Sequence, residues 1–248
     1  MAYTNSKLVD YTRISPNRTK SRKNKITKIT IHHMAGNLSV ETCGAHFANA
    51  KARVSSNYGI GSDGRIGLYV EEKDRSWCSS SAANDNQAIT IEVANCGGAP
   101  EWKVSDKALA ATIELCVDIC KRNGIKELKF TGDASGNLTL HKFFKATECP
   151  GKYLESKIPY IVSEVNKRLN PAAAATKPAT TGFQAYTVKI TTDELNVRAN
   201  AGTGYKIKST VSKGEVFTII QEKTVGGKLW GKLKSGAGWI CLTGYTEK

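Results

Sequence analysis

The chain has 248 residues, 40% of them hydrophobic, and its 36 lysines and arginines outnumber 22 aspartates and glutamates to give a net charge of +14. This apolar content excludes a disordered polar chain, and the length predicts a large domain, alone or with a small one. No run approaches the ~18 consecutive apolar residues of a membrane span, so no membrane insertion is expected. The charge is divided into +8 before residue 171 and +6 after it, and predicts an anionic partner.

Strands and helices alternate along the first 170 residues. Alternating β-branched runs predict strands, and apolar residues at helical spacing behind a capping residue predict helices. In chain order, these are a strand at 25–33, a helix at 40–52 capped by Ser39, a hairpin at 57–70, a strand at 88–94, and helices at 105–123 and 160–169. The alternation predicts an α/β domain built around one sheet.

The composition changes at residue 171. Residues 171–185 are mostly small side chains interrupted by proline, which predicts a linker between domain 1–170 and domain 186–248. The second domain contains only short strand patterns separated by glycine turns, which predicts a small all-β barrel. These strands are expected at 195–198, 209–211, 215–222, 229–233 and 238–240.

Cysteine and histidine provide the candidate metal ligands. The seven cysteines are odd in number and contain no CxxC pair, which predicts free thiols with the exception of Cys149 and excludes a four-cysteine zinc ribbon. Of the four histidines, His32 and His33 end the first strand, and His141 lies eight residues before Cys149. Two imidazoles and a thiolate bind Zn²⁺ tetrahedrally and leave one position open. On spacing alone, ordinary core or surface positions for these side chains remain the commoner alternative.

Three segments in this order carry a family resemblance: residues 29–36 (ITIHHMAG), 89–92 (ITIE) and 139–151 (TLHKFFKATECPG). Over roughly residues 8–168 the chain resembles the type 2 N-acetylmuramoyl-L-alanine amidases, zinc enzymes that share a fold with peptidoglycan recognition proteins. The resemblance implies an α/β fold with a central mixed β-sheet flanked by helices. It also implies that His32, His141 and Cys149 hold the zinc ion. His33 is then expected to pack behind the ligands, and His46 to be structural.

The resemblance also implies catalytic roles. Glu92 takes the place of the general base, and its apolar strand is expected to raise its pKa, whereas a solvent-facing position at a sheet edge is the alternative. Thr147 is expected to donate a hydrogen bond to the developing oxyanion. Two positions depart from many relatives: Ser56 stands where some have a catalytic tyrosine, with Tyr58 close by, and Cys78 stands where many have histidine. Whether these three side chains contribute to the site is left open.

The second domain resembles a bacterial SH3 (SH3b) domain over residues 186–247. The resemblance rests on the sequence LNVR at 195–198, Gly214, and the segments around Trp230 and Trp239. It implies binding to cell-wall peptidoglycan, for which Tyr205, Tyr245 and the two tryptophans are candidate groove residues, with at least one tryptophan in the core.

Together these features predict a zinc-dependent peptidoglycan hydrolase that cleaves the amide bond between N-acetylmuramic acid and L-alanine, as a wall-lytic endolysin or autolysin. The alternative is a non-catalytic peptidoglycan-binding protein of the same fold, although all three zinc ligands are present. Nucleic-acid binding has only the charge in its favour, because no recognition motif occurs. The N-terminus lacks a signal-peptide pattern, which predicts synthesis in the cytoplasm and action on the wall after release. The oligomeric state is left open.

Overall fold

The computed structural model describes residues 3–171 and 184–247. The chain divides into two compact units, residues 1–174 and 175–248. The linker expected at 171–185 lies almost wholly outside the described residues. Within the described part of the chain, no helix combines the length and apolarity needed to cross a membrane.

The first unit contains short strands and two long helices. Its strands are β1 (Tyr11–Thr12), β2 (Arg18–Thr19), β3 (Lys28–His33), β4 (Tyr58–Ile60), β5 (Ile66–Leu68), β6 (Arg75–Ser76), β7 (Ala88–Val93) and β8 (Leu138–Leu140). Its α-helices are α1 (Val40–Ala48), α2 (Ala82–Asp85), α3 (Asp106–Asn123) and α4 (Lys152–Leu169), and 3-10 turns occur at Ala50–Ala52 and His141–Phe143.

Six of these strands form one mixed sheet in the order β1-β5-β4-β7-β3-β8. Only the β4–β5 hairpin is antiparallel, and the other neighbours are parallel. The α/β fold with a central mixed sheet and flanking helices is therefore confirmed. Strands β2 and β6 form a separate antiparallel pair beside this sheet.

The main apolar core joins the sheet to α3 and α4. Helix α3 begins where expected, because the Ser105 hydroxyl accepts a hydrogen bond from the Ala108 amide at 3.0 Å. It ends at Gly124, whose φ of 69° is a left-handed conformation that glycine adopts at little cost. Helix α1 packs on β4 and β5, where Cys43 and Phe47 contact Tyr69 in a second small cluster.

Two helix boundaries and several short elements differ from the sequence expectation. Helix α4 begins at Lys152 rather than at 160 and continues through Pro159, because one buried stripe runs along its whole length. This stripe consists of Leu154, Ile158, Ile161 and Val165. Helix α1 ends at Ala48, and the Asn49 side chain accepts from the Lys51 amide at 3.0 Å to start a separate 3-10 turn. Strand β8 was not expected, because three residues are too few to establish an alternating pattern.

The second unit is an antiparallel sheet. Its strands are β9 (Tyr186–Ile190), β10 (Glu194–Arg198), β11 (Ile207–Ser212), β12 (Val216–Val225), β13 (Lys228–Leu233), β14 (Trp239–Cys241) and β15 (Thr246–Glu247), in the order β11-β10-β14-β13-β12-β9-β15. Gly226 and Gly227 both have positive φ in the β12–β13 turn, as a tight hairpin requires. Strands β9 and β15 were not expected. Trp230 and Trp239 are both buried, so each is a core residue.

Candidate active site

Parallel strand pairing brings three candidate residues to one edge of the sheet. In the β3–β7 register His32 lies opposite Glu92, and in the β3–β8 register Ile31 lies opposite Leu140, so His141 follows β8 at the same level. The carboxyl ends of neighbouring parallel strands all point to one side of a sheet. Residues from three distant parts of the sequence therefore meet at this edge.

Cys149 enters the site from the segment between β8 and α4. Its thiol lies 3.4 Å from the His33 amide, which donates to it, and its own amide donates to the Thr147 hydroxyl at 3.2 Å. Gly151 follows with a φ of 83°, and a Cβ added there would lie 2.9 Å from the Trp102 Cβ. Only glycine therefore fits at position 151, two residues after the cysteine.

The donor atoms of His32, His141 and Cys149 lie within 4.8 Å of one another. The His32 Nδ1 atom is 3.7 Å from the Cys149 Sγ atom, and the two imidazole centroids are 4.6 Å apart. In a tetrahedral zinc site, Zn–N and Zn–S bonds of about 2.0 and 2.3 Å separate nitrogen from sulfur by about 3.6 Å. The spacing of this pair therefore fits a zinc ion.

The protonation of the two imidazoles also suits a metal. Burial lowers the pKa of His32 well below its usual value, and the neighbouring His141 and His33 lower it further, so the imidazole is neutral. Burial likewise lowers the pKa of His141, followed by the charge of Lys145. Burial and then the charge of Glu92 raise the pKa of the Cys149 thiol. Cys149 is only 8% exposed, and a cation is what would stabilise its thiolate.

Glu92 lies beside these three residues on an inner strand of the sheet, between β4 and β3. Glu92 is therefore not on a solvent-facing edge strand, which was the alternative considered from the sequence. Its Oε1 atom lies 3.8 Å from the Cys78 Sγ atom, and its buried Oε2 atom has no hydrogen-bond partner among the described residues. Desolvation raises the pKa of Glu92 to about 8, against the opposing hydrogen bond from Cys78. The rise expected from burial is therefore present.

Cys78 belongs to the site as well. The donor atoms of His32, Cys78 and Glu92 also lie within 4.8 Å of one another. Asp85 fixes this segment, because its Oδ2 atom accepts from the amides of Cys78 and Ser79, both at 3.1 Å. The sequence contains no signal for this role of Asp85, since the contacts depend on how the segment between β6 and α2 folds back on itself.

Two residues considered from the sequence point away from the site. The Ser56 hydroxyl donates to the Tyr58 carbonyl at 2.7 Å, and the Tyr58 hydroxyl donates to Glu72 at 2.7 Å in the interior. His46, for which a structural role was expected, is exposed and borders the cavity at the site. This cavity is about 220 Å³ in volume, and its lining includes His33, His46, Trp77, Cys78, Glu92 and His141.

Each of the two units matches a known protein family. The family described as N-acetylmuramoyl-L-alanine amidase (Amidase_2) matches residues 22–152, which is more than half of the chain. The family described as bacterial SH3 domain (SH3_3) matches residues 193–247. No curated protein sequence matches the chain.

Several solved structures are similar in fold to about two thirds of the chain. Staphylococcus aureus hydrolase AmiA, solved with its ligand, has a TM-score of 0.52 at 15% identity and covers 68% of this chain and 85% of its own. The N-acetylmuramoyl-L-alanine amidase LysC from Clostridium intestinale URNW is 22% identical, with a TM-score of 0.44 over 65% of this chain and 95% of its own. The similarity to AmiA supports the fold, and the match to the amidase family supports the activity. The chain therefore belongs to the N-acetylmuramoyl-L-alanine amidase family, as a peptidoglycan amidase that also carries a bacterial SH3 domain.

Proposed function

We propose that this chain is a zinc-dependent, wall-lytic amidase that cleaves the bond between N-acetylmuramic acid and L-alanine. The observation that carries the proposal is the cluster of two neutral imidazoles and one buried thiol, with Glu92 beside it. His32, His141 and Cys149 would hold the ion. A zinc ion in this position would polarise the scissile carbonyl and make water a nucleophile near neutral pH.

Glu92 acts as the proton carrier in the proposed reaction. Amide hydrolysis requires a group that takes a proton from the attacking water and returns one to the leaving amine. Burial raises the pKa of the Glu92 carboxyl and so makes its carboxylate a stronger base, and its Oε2 atom is free of protein partners among the described residues. Cys78 holds the other oxygen, Oε1, and so orients the carboxyl group.

Thr147 is assigned a supporting role at the carbonyl. Its hydroxyl oxygen accepts the Cys149 amide at 3.2 Å, which leaves the hydroxyl proton available to a substrate oxygen. A hydroxyl donor directed at developing negative charge stabilises the transition state more than the ground state. Thr147 would therefore contact both the Cys149 backbone and the scissile carbonyl of the substrate.

The SH3 domain is assigned to wall binding. A catalyst held at its substrate by a second binding module works at a raised effective concentration. The positive charge of both domains would draw the chain to an anionic wall. In this proposal the protein is made in the cytoplasm and acts on the wall after release, as an endolysin or an autolysin.

The test compares three variants by zinc content and by the products of peptidoglycan digestion. Cys149→Ala is expected to lose both zinc and activity, because it removes one of three ligands. Glu92→Gln is expected to keep zinc and to lose activity by about a hundredfold or more, as removal of a general base does. Cys96→Ala, which replaces an exposed free thiol, is the matched control and should keep both.

Metal analysis gives the zinc content, and mass spectrometry of the digest identifies the cleaved bond. The wild-type chain should release new L-alanine amino termini without new reducing sugars. New reducing ends would identify a glycosidase instead, and a zinc-free variant that still cleaves the wall would contradict the metal assignment. An intact fold with no cleavage by the wild-type chain would favour the non-catalytic binder.

A further inference from the structure

A second cavity lies in the first unit, where the segment after β2 meets the segment before β6. It is about 450 Å³ in volume, and it shares no lining residue with the cavity that contains Glu92 and His141. Most of its lining side chains are charged: the cations Arg18, Lys20, Arg22 and Lys73, and the carboxylates Glu71 and Asp74. A cavity of this size accommodates a small ligand, and its charged lining favours a charged one.

Both carboxylates of this cavity are already paired. The Arg18 guanidinium donates to the Asp74 Oδ2 atom at 2.9 Å, and the Ser21 amide donates to the Asp74 Oδ1 atom at 2.9 Å. The Lys73 ammonium group lies 2.9 Å from the Glu71 Oε2 atom. Each carboxylate therefore has a cation of its own, and no carboxylate of the described residues forms an ion pair with the two remaining cations of the cavity.

Arg22 is the first of these two cations, and it is only 6% exposed. Its guanidinium donates, at 2.6 to 3.0 Å, to the backbone carbonyls of Glu72, Asp74, Asp85 and Ala88. These bonds use four of the five N–H groups of a guanidinium and leave one at Nη2 without an acceptor in the part of the chain that the structure describes. Burial lowers the pKa of Arg22 to about 10, against the opposing charge of Glu72. The carbonyls therefore compensate this buried charge only in part, and an anion in the cavity would stabilise it further.

Lys20 is the second cation without a carboxylate. It is exposed, directly follows β2 and lies two residues before Arg22. Ser21, between them, has a φ of 60°, a left-handed conformation that non-glycine residues seldom adopt. The bond from the Ser21 amide to Asp74 holds this turn, so that the side chains on either side of it line the same cavity. An exposed ammonium group and a buried guanidinium are therefore available to one anion.

We propose that this cavity binds a phosphodiester group of a polymer linked to the cell wall, with Lys20 and the remaining N–H group of Arg22 as its donors. The inference rests on the proposed function, since it takes the anionic wall to be the partner of this unit. A carboxylate pairs best with two parallel N–H groups of one guanidinium, and Arg22 has only one left. The two unesterified oxygens of a phosphodiester point in different directions, so an ammonium group and a single N–H group can each bind one of them.

The experiment measures binding of the full chain to soluble poly(glycerol phosphate), with poly(glutamate) of the same number of charges as the carboxylate comparison. The wild-type chain should bind the phosphate polymer more tightly. Lys20→Gln should weaken this binding by about tenfold in Kd, the effect of one charge-assisted hydrogen bond. Lys23→Gln removes the same charge from an exposed position in the same segment, outside the cavity, and should leave Kd nearly unchanged. Circular dichroism establishes that both variants retain the fold.

A second measurement observes Arg22 in the unaltered chain, because its contacts with four carbonyls make a variant at this position prone to unfolding. Titration with dimethyl phosphate, the simplest phosphodiester, should shift the Arg22 Nε–H and Ser21 amide resonances in NMR spectra. Acetate at the same concentration should shift both resonances much less.

Equal binding by Lys20→Gln and Lys23→Gln, or an equal Kd of the wild-type chain for the two polymers, would contradict the assignment of this cavity. So would an Arg22 resonance that dimethyl phosphate leaves in place. Tighter binding to phosphatidylglycerol vesicles than to the polymer, with the same dependence on Lys20, would overturn the wall as the source of the phosphate. A wild-type chain that binds the phosphate polymer but releases no L-alanine amino termini from peptidoglycan would contradict the proposed reaction and not this cavity.

Discussion

Glu72 is a fully buried carboxylate, and its partners show how one residue connects distant parts of the first domain. It accepts from the Tyr58 hydroxyl at 2.7 Å and from the Arg122 guanidinium at 2.6 and 2.9 Å. Arg122 lies in the last turn of α3 and also donates to the Thr4 carbonyl. A buried charge of this kind is tolerated only while its partners remain.

Arg122→Met is therefore expected to lower the free energy of unfolding by about 3 kcal/mol, because it leaves the Glu72 carboxylate buried without its cation. Arg168→Met is the matched control. Arg168 pairs with Glu114 at the same 2.6 Å distance, but the two side chains are 40% and 57% exposed. Its loss should cost less than about 1 kcal/mol. Urea unfolding of both variants measures the difference, and equal losses would contradict the importance of burial.

Strand β8 is an element whose formation depends on pairing with a distant strand and not on a local sequence pattern. It has three residues, but it positions His141 because it pairs in parallel with β3, more than a hundred residues away. The buried Thr30 and Thr139 hydroxyls, 2.9 Å apart, join the two strands. Helix α3, by contrast, was predicted from apolar residues at helical spacing, and its Ser105 cap and the Gly124 that ends it are also local features.

The end of α3 allows a test of backbone conformation alone. A Cβ added to Gly124 would meet no atom within 4 Å, so Gly124→Ala introduces no steric clash with its surroundings. Its φ of 69° nevertheless makes alanine unfavourable by about 1 kcal/mol, and Gly124→Asn should recover part of this loss. Gly98→Ala, which is equally open but lies outside the left-handed region, should be near neutral. Thermal or urea unfolding measures all three, and a neutral Gly124→Ala would contradict the argument.

Charge acts at the scale of the whole molecule. Both domain regions are basic, and surface charges attract a polyanion over a distance that shrinks as salt increases. Attraction of this kind affects encounter with the wall and not the chemistry at Glu92.

Raising the salt concentration from about 0.05 M to about 0.5 M is therefore expected to slow digestion of whole cell walls several-fold. Cleavage of a small soluble muramoyl peptide should change much less. Initial rates on the two substrates at each salt concentration provide the measurement. An equal decrease on both would mean that salt acts on the site rather than on attraction to the wall.

The sequence by itself determined the two domain types, the α/β alternation, the family motifs and the identity of the clustered His32, His141 and Cys149. The domain types and the alternation depend on residue type and on spacing along the chain, which local patterns record. The three clustered residues were identified through the family resemblance, because spacing alone favoured ordinary positions for them. Only the tertiary structure decided that Cys78 lies beside Glu92 and that Ser56 and Tyr58 point away from the site. It also decided that His46 borders the cavity at the site, and that Lys20 and Arg22 line a second cavity. Each of these features depends on strand register or on packing between segments that are distant in the sequence. The contacts that stabilise such packing are not encoded in any local sequence pattern.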